Sequence, residues 1–368
     1  MTTDPSEYSA KLENFQREIL EILRTFEVIQ ENLKLGEVKE SQAQLVAVTG
    51  GTLRRFGAEM AGIEPPDALR ETHTGLAEAV AQLEKSNNFF MSTPGPNWTL
   101  AFLYSRNAFC KALYGLYAIR ENLPIIAKYF AIEGAATIAA DQPPTGANSA
   151  PVGFEHHERD GALGGYSLYV PENYSPDRQW PLIICLHGGY GAGHEYIWTW
   201  LRSARTKGYI LLSPKSLGDT WSMTMGSPDT RSVMKMLDRV EQDYAVDRSR
   251  VYLSGLSDGG IFTYIMGLER HELFAGIAPV AGALHMAADP MLRTATGKEL
   301  PIFVIHGVHD FIFPVTFTRQ TNELFKQLGY NLKYEELPEW GHAFPYSINE
   351  RLVLPWFEDL PPRKIAQD

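Results

Sequence analysis

One serine in this chain has the spacing of an activated nucleophile. The apolar run Val251-Tyr252-Leu253-Ser254 leads into Gly255-Leu256-Ser257-Asp258-Gly259-Gly260, and Ile261 to Leu268 then suits a helix. Gly-x-Ser-x-Gly between a strand and a helix predicts a strained turn, because glycines on both sides of the serine remove the Cβ atoms that would collide as the chain reverses. Ser257 is thereby pushed above the sheet edge, with the first amides of the new helix aimed at whatever it attacks. A serine hydroxyl is a poor nucleophile until a base takes its proton, so the chemistry also needs a histidine, a carboxylate to orient it and N–H donors for the oxyanion. Three further turns carry such groups. Leu182-Ile183-Ile184-Cys185-Leu186 ends in His187-Gly188-Gly189-Tyr190-Gly191, Ile302-Phe303-Val304-Ile305 ends in His306-Gly307-Val308-His309-Asp310, and a later turn carries Glu339-Trp340-Gly341-His342. Candidate bases are therefore His187, His306, His309 and His342, and candidate acids are Asp258, Asp310 and Glu339.

Taken in chain order, Ser257, Asp310 and His342 behind an upstream His-Gly-Gly turn resemble the α/β-hydrolase superfamily. Within it the pattern is most similar to the phospholipase/carboxylesterase and dienelactone-hydrolase-like carboxylesterases, whose acid lies in a His-Gly-x-x-Asp turn and whose histidine follows a glycine. The resemblance spans residues 153 to 360 and leaves out the first 130. It implies an α/β fold with a mostly parallel central sheet, Ser257 as nucleophile, His342 as base and Asp310 as the residue orienting it; no ligand cluster stands at metal spacing, so no cofactor or metal is expected. The oxyanion hole would take backbone N–H groups from Gly189 and Asp258, the latter in a backbone role only. His306 becomes part of its strand-end turn, His309 supporting or solvated, and His187 a residue that fixes its own loop. His285 is left without a role. Gly188, Tyr190 and Trp221 are the substrate-side candidates, with Trp221 divided between lining an apolar acyl or alcohol site and simple core packing. Ala283 to Leu300 is long enough for a lid.

The elements that must position these residues follow from the rest of the chain. From Trp180 onward strands and helices alternate: 182–186, a helix over 196–207, 209–213, a helix over 230–244, 251–254 and the elbow, 276–280, 302–305, a helix over 316–328, 332–337, and a last helix after His342. Such alternation predicts a parallel sheet covered on both faces, with the site at the carboxyl ends of the strands. Tyr166 to Val170 reads as an early antiparallel strand. His156-His157-Glu158 is a solvated loop or edge strand rather than a metal site, since adjacent residues of an extended segment point to opposite faces.

The first part differs. Asp4-Pro5-Ser6-Glu7 reads as a cap and helix start, and Leu12, Phe15, Ile19, Ile22, Phe26, Ile29 and Leu33 follow at spacings of three and four up to Gly36. A weaker helix over 45–60 is interrupted at Gly50-Gly51. A clearer one carries Leu69, His73, Leu76, Val80 and Leu83, with His73 as a packing histidine. Pro94-Gly95-Pro96-Asn97 breaks the chain before an aromatic-rich helix over 98–120. The expected organisation is an all-helical domain over 1–132, a linker over 133–152 and a catalytic domain over 153–368. The seam of the first helix is to be covered either inside the same chain or by a second copy, which would make a homodimer, and the helical domain is expected to shape access to Ser257.

With 368 residues the chain has room for two domains, and a net charge of −11 argues against nucleic acid or an anionic membrane surface as partner. Cys110 and Cys185 read as buried free thiols, which suits a reducing compartment. The N-terminal residues lack a signal-peptide layout, and the most apolar stretch, 101–119, contains Arg106 and Lys111. A cytoplasmic protein with no membrane insertion is expected. The function expected is a serine carboxylesterase acting on small-molecule esters of short to medium acyl chain. A prolyl-oligopeptidase-type peptidase, a thioesterase or an acyltransferase is the alternative on the same fold, and a non-catalytic binding or scaffold protein the alternative of another class.

Overall fold

The computed structural model describes residues 5–92, 98–135, 150–160, 164–293 and 297–364. Residue Asp4 of the expected first cap, the break at Pro94 to Asn97 and positions 136–149 of the expected linker lie outside these residues. The chain divides into two compact units, Met1–Gly134 and Ala135–Asp368.

The first unit is helical: α1 (Pro5–Asn32), α2 (Val38–Thr49), α3 (Thr52–Ala61), α4 (Arg70–Met91), α5 (Trp98–Ala118) and the short α6 (Pro124–Ala127). Gly51, at φ 102°, separates α2 from α3, a backbone conformation that a side chain would resist. All seven seam residues, Leu12 to Ile29 on α1 and Leu33 just beyond its end, are buried. Their partners belong to the same unit: Phe15 meets Phe56 edge-on at 4.2 Å and Phe26 meets Phe109 at 5.3 Å. His73 packs as expected of it, its Nδ1 3.1 Å from the Tyr8 hydroxyl.

The second unit is built on eight strands, β1 (Gly153–His157), β2 (Tyr166–Val170), β3 (Trp180–Leu186), β4 (Ile210–Pro214), β5 (Val246–Leu256), β6 (Gly276–Val280), β7 (Ile302–Gly307) and β8 (Leu332–Leu337), in the order β1-β2-β4-β3-β5-β6-β7-β8. β2 runs antiparallel to β1 and β4, and all other pairs are parallel. Every residue of β3, β6 and β7 is buried. That is why these strands read as unbroken apolar runs rather than alternating ones. Helices α7 (Gly193–Tyr196), α8 (Leu201–Lys207), α9 (Pro228–Asp243), α10 (Asp258–Glu269), α11 (Asp289–Leu292) and α12 (Val315–Leu328) connect the strands. Val233, Met236 and Leu237 of α9 and Phe262, Ile265 and Met266 of α10 share one core with the sheet residues Leu182, Ile184, Leu186, Leu253 and Ile277.

The register brings the motif-bearing ends together. Leu186 pairs with Gly255, Leu256 with Val280, Val280 with Ile305, and Gly307 with Leu337, so the carboxyl ends of β3, β5, β6, β7 and β8 share one edge of the sheet. Two expected helices are interrupted. The one over 196–207 splits into α7, a three-ten turn at Ile197–Thr199 and α8. Tyr196, Ile197, Trp198 and Trp200 are all buried, and at about 100° per residue a regular helix would turn part of that set to solvent. The last helix is a short turn at Tyr346–Ile348, a π-helical turn at Asn349–Val353 and a helix at Leu354–Asp359. Pro355 has no N–H to continue a regular ladder there. Among the described residues no helix is long and apolar enough to cross a membrane.

Candidate active site

Ser257 sits between β5 and α10 with φ 58° and ψ −122°, a conformation that a non-glycine residue holds only when its surroundings enforce it. The enforcement is visible. Ser257 N donates to Val280 O at 3.0 Å, and Ile261 N donates to Ser257 O at 2.9 Å as the first bond of α10. A Cβ on Gly255 would lie 2.9 Å from Leu186 Cβ and collide with the Gly259 carbonyl, and one on Gly259 would lie 2.6 Å from His187 O. The two glycines of the motif are thus fixed by backbone crossing backbone.

The acid and base come from neighbouring strand ends. Asp310 Oδ2 lies 2.8 Å from His342 Nδ1, while Asp310 Oδ1 accepts from Ile312 N and Phe313 N, both at 2.8 Å. Nδ1 is therefore the donor of His342, and Nε2 is left to face a proton. Phe311 and Phe313 meet the imidazole ring edge-on at 6.1 and 5.7 Å. Asp310 is the carboxylate that the histidine finds, rather than Asp258. Among the described residues Ser257 Oγ has no hydrogen-bond partner, so the histidine–carboxylate half is formed and the serine–histidine contact is not; contacts of that kind tighten when substrate binds.

The other candidate histidines are tied into their own turns and strands. His306 is fully buried, its Nε2 donates to Phe313 O at 2.7 Å and lies 3.4 Å from Asp310 Oδ2, and burial pushes its pKa down. His309 N donates to Trp340 O at 3.0 Å, tying the acid turn to the turn that carries His342. His285 accepts from Ala287 N at 3.2 Å as a local cap. His187 is buried, donates through Nδ1 to Gly188 O at 2.6 Å and accepts at Nε2 from Ser216 N at 3.1 Å. Burial pushes its pKa down to about 3. His156 and His157 lie in the edge strand β1, the first 2.9 Å from Ser167 Oγ and the second stacked on Tyr166 at 4.4 Å.

The His-Gly-Gly turn lies against the elbow. A Cβ on Gly188 would be 3.4 Å from Ser257 Cβ and 3.9 Å from Ser257 Oγ, and one on Gly189 would be 2.6 Å from Asp258 Oδ2. At Gly188 that is ordinary contact, whereas at Gly189 the Asp258 side chain would have to move, which puts the Gly189 backbone beside the first residue of α10. Tyr190 follows at φ 57°, is 74% exposed, and donates its N–H to Asp219 O at 2.8 Å. Trp221 does not line an open site. It is 2% exposed, stacks on Phe262 at 4.9 Å, and donates Nε1–H to His187 O at 2.7 Å, so its indole braces the turn from beneath.

Two contributors were invisible in the sequence. Thr220 Oγ1 donates to Asp258 Oδ2, and the buried Asp229 carboxylate accepts from Leu217 N, Ser222 N and Ser222 Oγ. Neither belongs to a motif, and only the fold places them beside the His-Gly-Gly turn.

Known proteins share this second unit in part. The phospholipase/carboxylesterase family profile matches residues 224–351. The chain is 31% identical over 163 residues to a bifunctional acetylxylan esterase/xylanase of Neocallimastix patriciarum, covering 42% of this chain and 23% of that protein. It is 27% identical over 159 residues to a probable feruloyl esterase C of Aspergillus terreus, covering 41% and 56%. An acyl-protein thioesterase 1 of Neurospora crassa is 30% identical over 106 residues, covering 28% and 43%. In each case the chain spans less than two thirds of the relative's length. Among solved structures, an acetyl xylan esterase from Aspergillus awamori aligns with a TM-score of 0.47 and 17% identity over 56% of this chain and 98% of its own.

Proposed function

Because residues 135–368 form an α/β-hydrolase unit that matches the phospholipase/carboxylesterase family over residues 224–351, we propose that the protein is a serine carboxylesterase acting on small-molecule esters of short to medium acyl chain. The observation that carries this reading is Ser257 at φ 58°, with Gly188 packed against it, Gly189 against Asp258, and the His342–Asp310 pair beyond the ends of β8 and β7 on the same edge of the sheet. In the proposed reaction His342 Nε2 takes the Ser257 proton as Oγ attacks the ester carbonyl, and Asp310 stabilises the imidazolium that results. The oxyanion lies between the N–H groups of Gly189 and Asp258. Collapse breaks the carbon–oxygen bond to the alcohol, which leaves with the proton from His342. Water, deprotonated by the same histidine, then attacks the acyl-enzyme and releases the acid and Ser257.

The relatives include proteins named for ester and for thioester substrates, and the acyl-serine proposed for this chain is chemically open to both. A fluorophosphonate probe with mass mapping tests the nucleophile. A panel of p-nitrophenyl esters of increasing chain length, a thioester and an aminoacyl-prolyl amide tests the substrate class. Labelling at Ser257 and turnover highest on the shorter esters is the expected result. No labelling and no turnover on any of them would leave a binding protein instead.

A further inference from the structure

The turn proposed to supply one oxyanion donor closes on Gly188 O, which accepts from His187 Nδ1 at 2.6 Å and Gly191 N at 3.1 Å, but these bonds do not tie it to α10. Gly188 and Gly189 have no side chains, and Tyr190 at φ 57° is mostly exposed. What holds it is the segment between β4 and α9. Ser216 N reaches His187 Nε2 at 3.1 Å, Asp219 O takes the Tyr190 N–H at 2.8 Å, Trp221 Nε1 reaches His187 O at 2.7 Å, and Thr220 Oγ1 reaches the Asp258 carboxylate on the other side of the hole. Together these four contacts set the distance between the turn and the start of α10.

That segment is held at Gly218 O by Ser216 Oγ at 2.8 Å and Lys215 Nζ at 3.3 Å, and at both of its ends by one carboxylate. Asp229, the second residue of α9, is 1% exposed, and its oxygens accept from Leu217 N at 2.8 Å, Ser222 N at 2.8 Å and Ser222 Oγ at 2.7 Å. The two oxygens grip the two ends of residues 217–222, so the segment is a loop closed on one side chain. Hydrogen bonds to a buried charge are the strong ones, and they hold the backbone against the cost of ordering it.

We propose that Asp229 is a positioning residue for the oxyanion hole: it clamps residues 217–222 so that Asp219, Thr220 and Trp221 hold the Gly189 amide at its working distance from Asp258. The proposal rests on the ester-hydrolase reading above. It makes a distinct claim, because the oxyanion is bound in the transition state and not in the ground state. Misplacing the turn by about 1 Å should therefore lower kcat about 10²-fold with little change in KM.

The test compares the full-length parent with Asp229→Asn, which keeps the shape and loses one acceptor oxygen. Active serines are counted by fluorophosphonate labelling run to completion, kcat and KM are measured per labelled serine, and the inhibition constant of an arylboronic acid reports transition-state binding. The expected result is full labelling, kcat down by about 10²-fold, KM nearly unchanged, and boronate affinity weakened in step with kcat/KM. If kcat per labelled serine matches the parent, or the loss is accounted for by fewer labelled serines alone, Asp229 only supports the fold and the proposal is overturned. Should Asp229→Asn fail to fold, Ser222→Ala removes one of the same three bonds, and it must show the same kcat-selective loss on a smaller scale or the proposal fails. A parent that neither labels nor hydrolyses the panel refutes the esterase reading itself, and this proposal with it.

Discussion

His342 Nδ1 lies 2.8 Å from Asp310 Oδ2, and the two turns are locked together before either side chain is placed. His309 N donates to Trp340 O and Val308 N to Leu337 O, each at 3.0 Å, and a Cβ on Gly307 would lie 2.7 Å from the Gly341 carbonyl oxygen. The acid's second oxygen is held by two backbone amides of its own turn. The carboxylate therefore cannot rotate away at low cost.

Asp310→Asn should fold like the parent and lose about 10³- to 10⁴-fold in kcat, because an amide cannot hold the imidazole in the tautomer that leaves Nε2 free. Ser257→Ala and His342→Ala should lose at least as much, and the double variants little more, since the three act as one unit. Steady-state rates with circular dichroism on each variant check this. Wild-type turnover by Ser257→Ala, with contaminating esterase excluded, would refute the mechanism.

Two glycine substitutions should separate folding from chemistry. At Gly189 the added Cβ meets Asp258 Oδ2 at 2.6 Å, the far end of a side chain that can swing, whereas at Gly259 it meets the carbonyls of Leu186 and His187, which cannot. Gly189→Ala is expected to fold and to lose about 10²- to 10³-fold in kcat, the scale of a missing oxyanion donor. Gly259→Ala is expected in the insoluble fraction or with a much reduced thermal midpoint, because overpacking against backbone has no cheap relaxation. Equal stability of the two variants would contradict this.

Acid should destabilise the protein through its buried histidines before its carboxylates. Burial lowers the pKa of half-buried His73 and of fully buried His306, and that of His187 to about 3. The unfolded chain takes these protons near the ordinary value of about 6.5 and the folded chain does not, so stability is complete above that value and falls as pH drops toward 3. His187 alone accounts for on the order of 2 kcal/mol at pH 5. The carboxylate of Glu336, lowered to about 2 chiefly by its hydrogen bond with Arg319, adds its loss only at lower pH. Urea midpoints between pH 7.5 and 4.5 should decline, and His187→Gln should flatten the decline; a midpoint independent of pH over that range would show that these rings do not titrate as argued.

What the sequence made legible and what it hid divide along physical lines. The parallel strands and the elbow were readable because two-sided burial writes continuous apolar runs, and because a strained turn needs glycine at fixed offsets. Trp221 was ambiguous: an indole in a loop reads alike as pocket wall or brace, and only its bond to His187 O and its stack on Phe262 decide for the brace. Asp229 was unreadable, since an acid in the first turn of a helix is ordinary there, and its three bonds go to residues brought near by the fold. The interruption after Tyr196 leaves no mark in the sequence, because consecutive aromatic residues satisfy a helical pattern locally while their burial on all sides forbids one.

The last prediction concerns the helical unit. The α1 seam is buried against residues of the same unit, as the Phe15–Phe56 and Phe26–Phe109 contacts show, and Ser86 and Ser105 tie α4 to α5 through a buried hydroxyl pair at 3.0 Å. With that stripe covered, a homodimer would have to use another face. The contacts described above for the proposed site lie between Leu186 and His342, inside the second unit. Residues 135–368 expressed alone should therefore label at Ser257 to completion and hydrolyse p-nitrophenyl acetate with a kcat/KM close to that of the full chain. Residues 1–134 alone should be helical, unfold cooperatively and run as a monomer by size-exclusion chromatography with light scattering. Loss of labelling in the shorter chain would show that the helical unit completes the site. A change confined to the longer esters would assign it to substrate access, and identical kinetics on every ester would leave it with no part in catalysis.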